Sequence, residues 1–495
     1  MAFAITQTCC NDATCVSVCP VNCIHPAPGE PDFGSTDMLY IDPQACIDCG
    51  ACADACPVDA IFPVASLTEQ LRPYAEINAS YFADRAPADG DPSPNFHAWD
   101  EPVFDRVLPA DFAPLDVAVV GTGPAGMYAV EDLLLHTNSR VTLIDRLPVA
   151  GGLVRHGVAP DHQATKGIGE TFARFHQHPR LRLRLGESVG SDVTVDELAA
   201  RHDAVIYAVG ASSARRLGIP GEDLPGSHAA TDVVAWYNDH PDVPADAVDL
   251  SAERVAVVGN GNVALDVARI LTMDPEALAD TTISPAALAA LRSSKVREVV
   301  VLGRRGPEDA AYTRPELLAL ARHPDIDLVV DDHDPRGAAT GDKAAWLRDV
   351  RREVVDWSAP PPHGRRRIVL RFRSAPREVM GDRQVRGLRV TGVGEDVEVA
   401  AGLVIRAVGY RGTPVEGLPF DSGTGTIPHV GGRVEGRQRD YVVGWIKRGP
   451  SGGIGANRAC AKEAVGTLLA DAISGRLPRQ ERPSVVRRMA RRLRG

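Results

Sequence analysis

The chain has 495 residues, of which 44% are hydrophobic, 5% aromatic and 24% charged, with a formal net charge of −11. Such a length holds about three domains of ordinary globular composition; no apolar run approaches the roughly 18–20 residues of a membrane-spanning helix, and residues 1–10 lack the basic start of a signal peptide. A cytoplasmic protein is expected, because its thiols must stay reduced. Charge is unevenly spread. Residues 1–66 carry eight acidic side chains and no Lys or Arg, whereas residues 476–495 carry eight Arg against Glu481. The first is an acidic module suited to a basic surface and the second a basic tail. No recognition motif accompanies that tail, so no nucleic-acid partner is expected.

Short strands are expected at residues 3–6 and 39–41, each just ahead of a group of cysteines. The second group reads Cys46-x2-Cys49-x2-Cys52-x3-Cys56-Pro57 and the first Cys9-x2-Asp12-x2-Cys15-x3-Cys19-Pro20. Thiolates at three-residue intervals grip three corners of one iron–sulfur cubane, and the cysteine before proline reaches across to the other cluster. Zinc sites present two separated pairs instead. CPVNCI at residues 19–24 and CPVDAI at 56–61 mark a duplicated half, which implies crossed ligation. Cys46, Cys49 and Cys52 hold one [4Fe–4S] cluster with Cys19; Cys9, Cys15 and Cys56 hold the other. There Asp12 stands where a cysteine is expected, and its oxygen grips iron less firmly than a thiolate. That cluster is [4Fe–4S] with Asp12 as a labile ligand or [3Fe–4S] with Asp12 idle, and spacing leaves both open. Cys10, Cys23 and Cys460 remain, and are expected to be small buried hydrophobes.

Residues 67–82 have a helical pattern. Residues 85–113, rich in Pro, Asp and Ala, read as a linker that closes the module of residues 1–84. Beyond it the texture becomes α/β. A strand at 116–120 runs into Gly121-Thr122-Gly123-Pro124-Ala125-Gly126, a helix extends to about residue 136, and a strand at 140–144 ends at Asp145. This is a dinucleotide fingerprint in context. Gly121 makes the tight turn, Gly123 lets a pyrophosphate approach, Gly126 lets helix pack on strand, and Asp145 accepts from ribose hydroxyls.

A second fingerprint follows the strand at 254–258: Gly259, Asn260, Gly261, Asn262, Val263 and Ala264, opening a helix through residue 271. After an interposed helical stretch at 275–294, a strand at 298–302 ends in Gly303-Arg304-Arg305 instead of an acid. Two guanidiniums clamp a 2′-phosphate, so NADP is expected here over NAD. The similar segments AVIYAVG (204–210) and LVIRAVG (403–409) bracket this unit and suggest nesting. The expected division is a first FAD-binding part at 114–213, an NADP-binding domain at 214–403, a returning FAD-binding part at 404–475 and a tail at 476–495. The returning part carries YVVGWI (441–446), then KRGPSGGIG (447–455) and a helix at 456–472, whose glycine-led start offers backbone N–H groups to a reduced flavin.

Two dinucleotide sites beside a cysteine array imply an order of electron flow. NADPH gives a hydride, a cluster accepts one electron, and FAD stands between them because it takes two and releases them singly. Residues 147–166 contain no cysteine pair, so electrons do not leave through a flavin-side disulfide. His162 and Glu316 are polar candidates near the nicotinamide, and Trp445 is a candidate cover for the nicotinamide or flavin ring.

GTGPAG, GGLVRHGVAPDH (151–162), YAVGA, GNGNVALDVARIL, GRRGP and YVVGWIKRGPSGGIG make the chain resemble the adrenodoxin-reductase-type ferredoxin–NADP(+) reductases from about residue 115 to 476. These are a branch of the glutathione-reductase-like flavoproteins. The N-terminal part is similar to bacterial seven- or eight-iron ferredoxins, with EINASYF (76–82), and the whole to the actinobacterial fusion of the two. That resemblance implies a multidomain α/β protein: an N-terminal α+β bacterial ferredoxin fold, then two nested Rossmann-like dinucleotide-binding domains. It implies FAD contacts at Ala125, Asp145, Leu153, Val189, Trp445, Gly452, Gly453 and Ile454. NADP contacts are implied at Arg215, Gly259, Asn260, Gly261, Asn262, Val263, Arg304, Arg305, Glu316 and Gly452. The implied activity is NADPH-dependent ferredoxin reduction by a monomer that passes electrons to a ferredoxin or a cytochrome P450. An electron-input subunit like the glutamate-synthase small subunit predicts a stable hetero-oligomer instead, and a redox sensor predicts slow cluster reduction by NADPH.

Overall fold

The computed structural model describes residues 2–30, 32–83, 106–334, 342–392 and 394–477. Most of the expected linker and of the basic tail lie outside these. The chain forms two compact units: Met1–Asp100, Leu153–Thr171 and Ser212–Arg411 in the first, and Glu101–Gly152, Phe172–Ala211 and Gly412–Gly495 in the second.

Within the first unit, the N-terminal module is built twice, 37 residues apart. Helix Thr14–Val18 recurs as Ala51–Ala55. Strand Phe3–Ile5 pairs antiparallel with Ile61–Pro63, and Ile24–His25 with Tyr40–Ile41. The left-handed backbone positions repeat as well, with Asn11, Ala13 and Asn22 matched by Asp48, Gly50 and Asp59. Few side chains tolerate that conformation, so its recurrence in step with the cysteines shows that both loops are wound to the same shape. The buried Asn78 side chain ties the halves together: its Oδ1 accepts from the N–H groups of Ile5 (3.1 Å) and Ile41 (2.8 Å), and its Nδ2 donates to Ile5 O (2.8 Å). The helix that carries it runs Pro73–Phe82, not from residue 67 as the pattern suggested. Pro73 lacks the N–H that a helix interior needs but suits a first turn.

The rest of the first unit is organised by a seven-stranded sheet. Its central strands Arg254–Val258, Glu298–Leu302 and Arg366–Arg371 are parallel, and all five residues of the first two are buried. Strand Leu403–Arg406 pairs with Arg254–Val258 and Ser227–Ala229. This corrects the expectation that the chain returns at residue 403 or 404: the LVIRAVG strand belongs to the second fingerprint's sheet, and the crossing lies beyond Arg411. An apolar β-branched strand reads alike in either sheet, so its text did not say which one it joins. The interposed stretch is a 3-10 turn, Pro275–Leu278, and a separate helix, Pro285–Arg292, capped by Ser284.

The second unit has its own seven-stranded sheet, in which Asp440–Val442, Ala204–Tyr207, Asp116–Val120, Arg140–Asp145 and Leu181–Leu185 lie parallel in that order. Strand residues such as Val120, Ile144, Tyr207 and Val442 form a core with Leu198 and Ile446. Helices Pro124–His136 and Ile454–Ile473 belong to this unit. Among the described residues no helix is long and apolar enough to cross a membrane.

Candidate functional site

In the N-terminal module, Cys19, Cys46, Cys49 and Cys52 line one pocket together with Phe3, Val21, Cys23, Ile47 and Gly50. These four thiols come from both halves of the repeat, as the crossed pattern requires. None of the ten cysteines is in a disulfide. A wholly soft donor set at this spacing fits an iron–sulfur centre. Backbone N–H groups point at the sulfurs: Cys23 N–H lies 3.4 Å from Cys19 Sγ, Ala60 N–H 3.3 Å from Cys56 Sγ, and Leu39 N–H 3.5 Å from Cys9 Sγ. Burial pushes the Cys9 and Cys52 thiols up to about 11 and raises Cys15 and Cys56 as well. Metal binding must therefore displace protons. Cys19 goes the other way, held below the usual thiol range chiefly by a hydrogen bond from the Cys23 thiol, 3.4 Å away.

Of the leftover cysteines, Cys460 is buried and accepts the Gly444 N–H at 3.2 Å, and Cys23 is buried against Cys19. Cys10 is only half-buried, against expectation. The Asp12 carboxylate accepts from the Thr14 hydroxyl and, at 3.4 Å, from the Thr14 N–H.

The first glycine turn lies in the second unit. Gly121 has φ +109°, and a Cβ there would meet the Ala208 carbonyl oxygen at 2.4 Å; a Cβ on Gly126 would meet the Gly121 oxygen at 2.0 Å. Helix Pro124–His136 starts after Gly123 with no side-chain cap, so first-turn N–H groups of Ala125 and Gly126 are left for an anion. Asp145 sits at the tip of its strand. Its Oδ2 accepts from Thr122 N–H (2.8 Å) and Oγ1 (2.6 Å), and its Oδ1 from Leu147 N–H (3.0 Å). The carboxylate thus buttresses the turn as well as facing it. A Cβ on Gly444 would meet Ala125 Cβ at 2.6 Å, which brings the returning segment against this turn. Trp445 follows directly, its Nε1 donating to Gly452 O at 3.1 Å. Helix Ile454–Ile473 then starts after Gly453, again without a side-chain cap. Ala125, Trp445, Gly452, Gly453 and Ile454 are thereby gathered in one region. Val189 is in the same unit, in a bridge to Val193, and Leu153, 36% exposed, is in the first.

The second glycine turn is in the first unit. Gly259 has φ +119°, and a Cβ there would meet the Ala407 oxygen at 2.2 Å. Helix Asn262–Thr272 starts after Gly261 with no side-chain cap. A Cβ on Gly303 would meet Asn260 Nδ2 at 2.6 Å; that approach places exposed Arg304 and Arg305 beside the turn. Arg305 pairs loosely with Asp309 at 3.3 Å. The Arg215 N–H donates to Gly409 O at 3.0 Å and its Nε to Tyr410 O at 3.4 Å.

His162 and Glu316 do meet, through residues that no motif singled out. Arg269, 3% exposed, reaches Asp161 with Nε at 2.7 Å and Nη2 at 3.0 Å, Asp266 at 2.8 Å, His162 Nε2 at 3.0 Å and Glu316 at 3.6 Å. Burial raises the Glu316 carboxyl, helped by the charge of Asp266. Burial acts the same way on Asp161, but the Arg269 guanidinium overcomes it and holds that carboxyl below its ordinary range. The signal was present: Asp266 and Arg269 stand three apart in GNGNVALDVARIL, on one face of the helix that opens the second turn.

The N-terminal module matches the family model "4Fe-4S binding domain" over residues 39–62, and residues 115–297 match "Pyridine nucleotide-disulphide oxidoreductase". The chain is 48% identical over 495 residues to a "Probable ferredoxin/ferredoxin--NADP reductase" of Mycobacterium tuberculosis, an alignment spanning 96% of this chain and 85% of that one. It is 37% identical over 405 residues to the mitochondrial NADPH:adrenodoxin oxidoreductase of Arabidopsis thaliana, covering 74% and 84%. Among solved structures, Mycobacterium tuberculosis FprA in complex with NADPH superposes with a TM-score of 0.69 at 43% identity, covering 77% of this chain and 89% of that one.

Proposed function

The chain belongs to the ferredoxin/ferredoxin–NADP reductase family, and from that premise we propose how its residues divide the work. It is an oxidoreductase that uses NADPH, FAD and iron–sulfur centres. Bound FAD supplies the conversion chemistry, accepting a hydride from NADPH and releasing electrons one at a time to the clusters.

Ala125 and Gly126 receive the FAD pyrophosphate on their N–H groups, and Asp145 takes a ribose hydroxyl while holding the turn through Thr122. The N–H groups of Asn262 and Val263 receive the NADP pyrophosphate, and Arg304 and Arg305 clamp the 2′-phosphate. Hydride transfer needs no proton at the donor carbon. His162 and Glu316 therefore orient the nicotinamide, with Arg269 and Asp161 holding both in place, and Trp445 shields the ring system. The FAD-binding part is built on residues 114–152, 172–211 and 412–475, and the NADP-binding domain lies between the last two in sequence.

Cys19, Cys46, Cys49 and Cys52 hold a [4Fe–4S] cluster. Cys9, Cys15 and Cys56 are the firm ligands of the second, where the Thr14 hydroxyl competes with iron for Asp12. The chain works as a monomer in the cytoplasm, and its acceptor is a soluble one-electron protein, a ferredoxin or a cytochrome P450. The observation that carries this reading is the cysteine-lined pocket, for which hydride exchange between nucleotide and flavin has no use. Anaerobic NADPH should bleach the bound flavin, and reduction of cytochrome c should stop when FAD is removed. Reduction that survives removal of FAD, or a flavin that NADPH leaves oxidised, overturns the reading.

A further inference from the structure

The two halves of the N-terminal module share a backbone but differ in cover. Residues 7–16 of the first half are all buried or half-buried, whereas in the matching stretch, 44–53, Gln44, Ala45, Ile47, Asp48 and Cys49 are exposed. Ile47, at 58% exposure, stands where the first half has Cys10.

The cover of the first half comes from residues 36–40. Asn11 Nδ2 donates to Thr36 O at 2.9 Å, and Leu39 N–H points at Cys9 Sγ. The same segment is held by the nucleotide-binding part of its own unit: Asp37 Oδ2 accepts the Arg314 N–H at 3.1 Å. Close by, the Tyr74 hydroxyl donates to Pro315 O at 3.3 Å, and that ring is 2% exposed. The side carrying Cys9 is therefore already occupied by this chain.

The other half is open. A single exposed isoleucine needs no explanation by itself, but Ile47 lines the cavity of Cys19, Cys46, Cys49 and Cys52. It also lies in a stretch, residues 42–59, with four Asp and no Lys or Arg. An apolar contact in an acidic field selects a basic partner and speeds its encounter.

Resting on the cluster assignment above, we propose that the centre held by Cys19, Cys46, Cys49 and Cys52 is the one that delivers electrons to a separate protein. Its docking surface is Ile47 with Asp48 and Asp54, the exposed aspartates of residues 42–55, and its partner is a basic one-electron redox protein. One electron leaves the reduced centre and one metal of the partner is reduced by one, with no bond or proton exchanged. The centre of Cys9, Cys15 and Cys56 lies upstream.

The test uses holoenzyme, with iron content and EPR confirming both centres, and a basic c-type cytochrome tethered to a sensor surface as the probe. Ile47→Gln and Asp54→Lys should each weaken binding about fivefold or more, and added salt should weaken the wild type steeply. Glu69→Lys, at an exposed acid of the same module outside this stretch, should stay within about twofold. If Ile47→Gln loses iron, Asp54→Lys decides alone. Binding by Asp54→Lys within twofold of wild type, or an equal loss with Glu69→Lys, overturns the proposal. Absence of the iron–sulfur EPR signals in wild-type protein after dithionite reduction strikes the cluster assignment instead.

Discussion

Replacing Arg269 by Gln removes the guanidinium that holds Asp161, Asp266 and Glu316 together. It is 3% exposed, with contacts of 2.7 and 3.0 Å to Asp161, 2.8 Å to Asp266 and 3.6 Å to Glu316. Taking one partner from a buried ionic group leaves carboxylates uncompensated and costs about 3–5 kcal/mol. At ~2–4 °C per kcal/mol for a domain of this size, that is a drop in Tm of roughly 6–20 °C. The loss has a defined pH dependence. The Asp161 carboxyl is depressed in the folded protein, so it contributes stability above its unfolded pKa that is lost on acidification. The Glu316 carboxyl is raised, so its burial costs stability as pH climbs from its unfolded value through its folded one. Without Arg269 both carboxyls move up and prefer a proton, and the deficit should be larger at pH 8 than at pH 5.5. Thermal unfolding followed by circular dichroism at the two pH values measures this, with the first transition as the readout. Adding Asp161→Asn to the variant should restore part of the stability at pH 8. A deficit below about 1 kcal/mol, far under the buried-pair range, or one larger at pH 5.5, refutes the reasoning.

Replacing both Arg304 and Arg305 by Ser should weaken NADPH about tenfold or more while changing NADH little, as steady-state KM values would report; equal losses sink the 2′-phosphate assignment. Gly121→Ala puts a methyl group 2.4 Å from the Ala208 oxygen at φ +109°, and should yield protein without bound flavin by absorbance; full FAD occupancy contradicts the tight-turn account. Asp12→Cys supplies a fourth thiolate to the centre of Cys9, Cys15 and Cys56 and should abolish any three-iron EPR signal, raising the iron content where that signal was present. A three-iron EPR signal that persists in the variant would mean that residue 12 does not face that centre.

Local features were legible where chemistry forces spacing. The two cysteine groups, both glycine turns, and the strands Asp116–Val120 and Arg254–Val258 follow from patterns that admit few alternatives. Less legible was what depends on distant partners. Leu403–Arg406 reads as a buried strand, but its place beside Arg254–Val258 rests on pairing across more than a hundred residues. His162 and Glu316 were visible as polar residues in motifs. Their meeting through Arg269 was not, because nothing local says that helix Asn262–Thr272 turns its buried face to Asp161. The uneven cover of the two halves was likewise hidden, since it arises from Tyr74 and Asp37 meeting residues 314–315.

The central claim is that electrons from NADPH reach the cysteine-held centres of the same polypeptide by way of the flavin. Anaerobic rapid mixing of the holoenzyme with NADPH, following flavin and cluster absorbance together, tests it most directly. The account predicts flavin bleaching first, then cluster bleaching at a rate independent of protein concentration. Clusters that stay oxidised while the flavin is reduced, or that are reduced equally well in protein stripped of FAD, would contradict it.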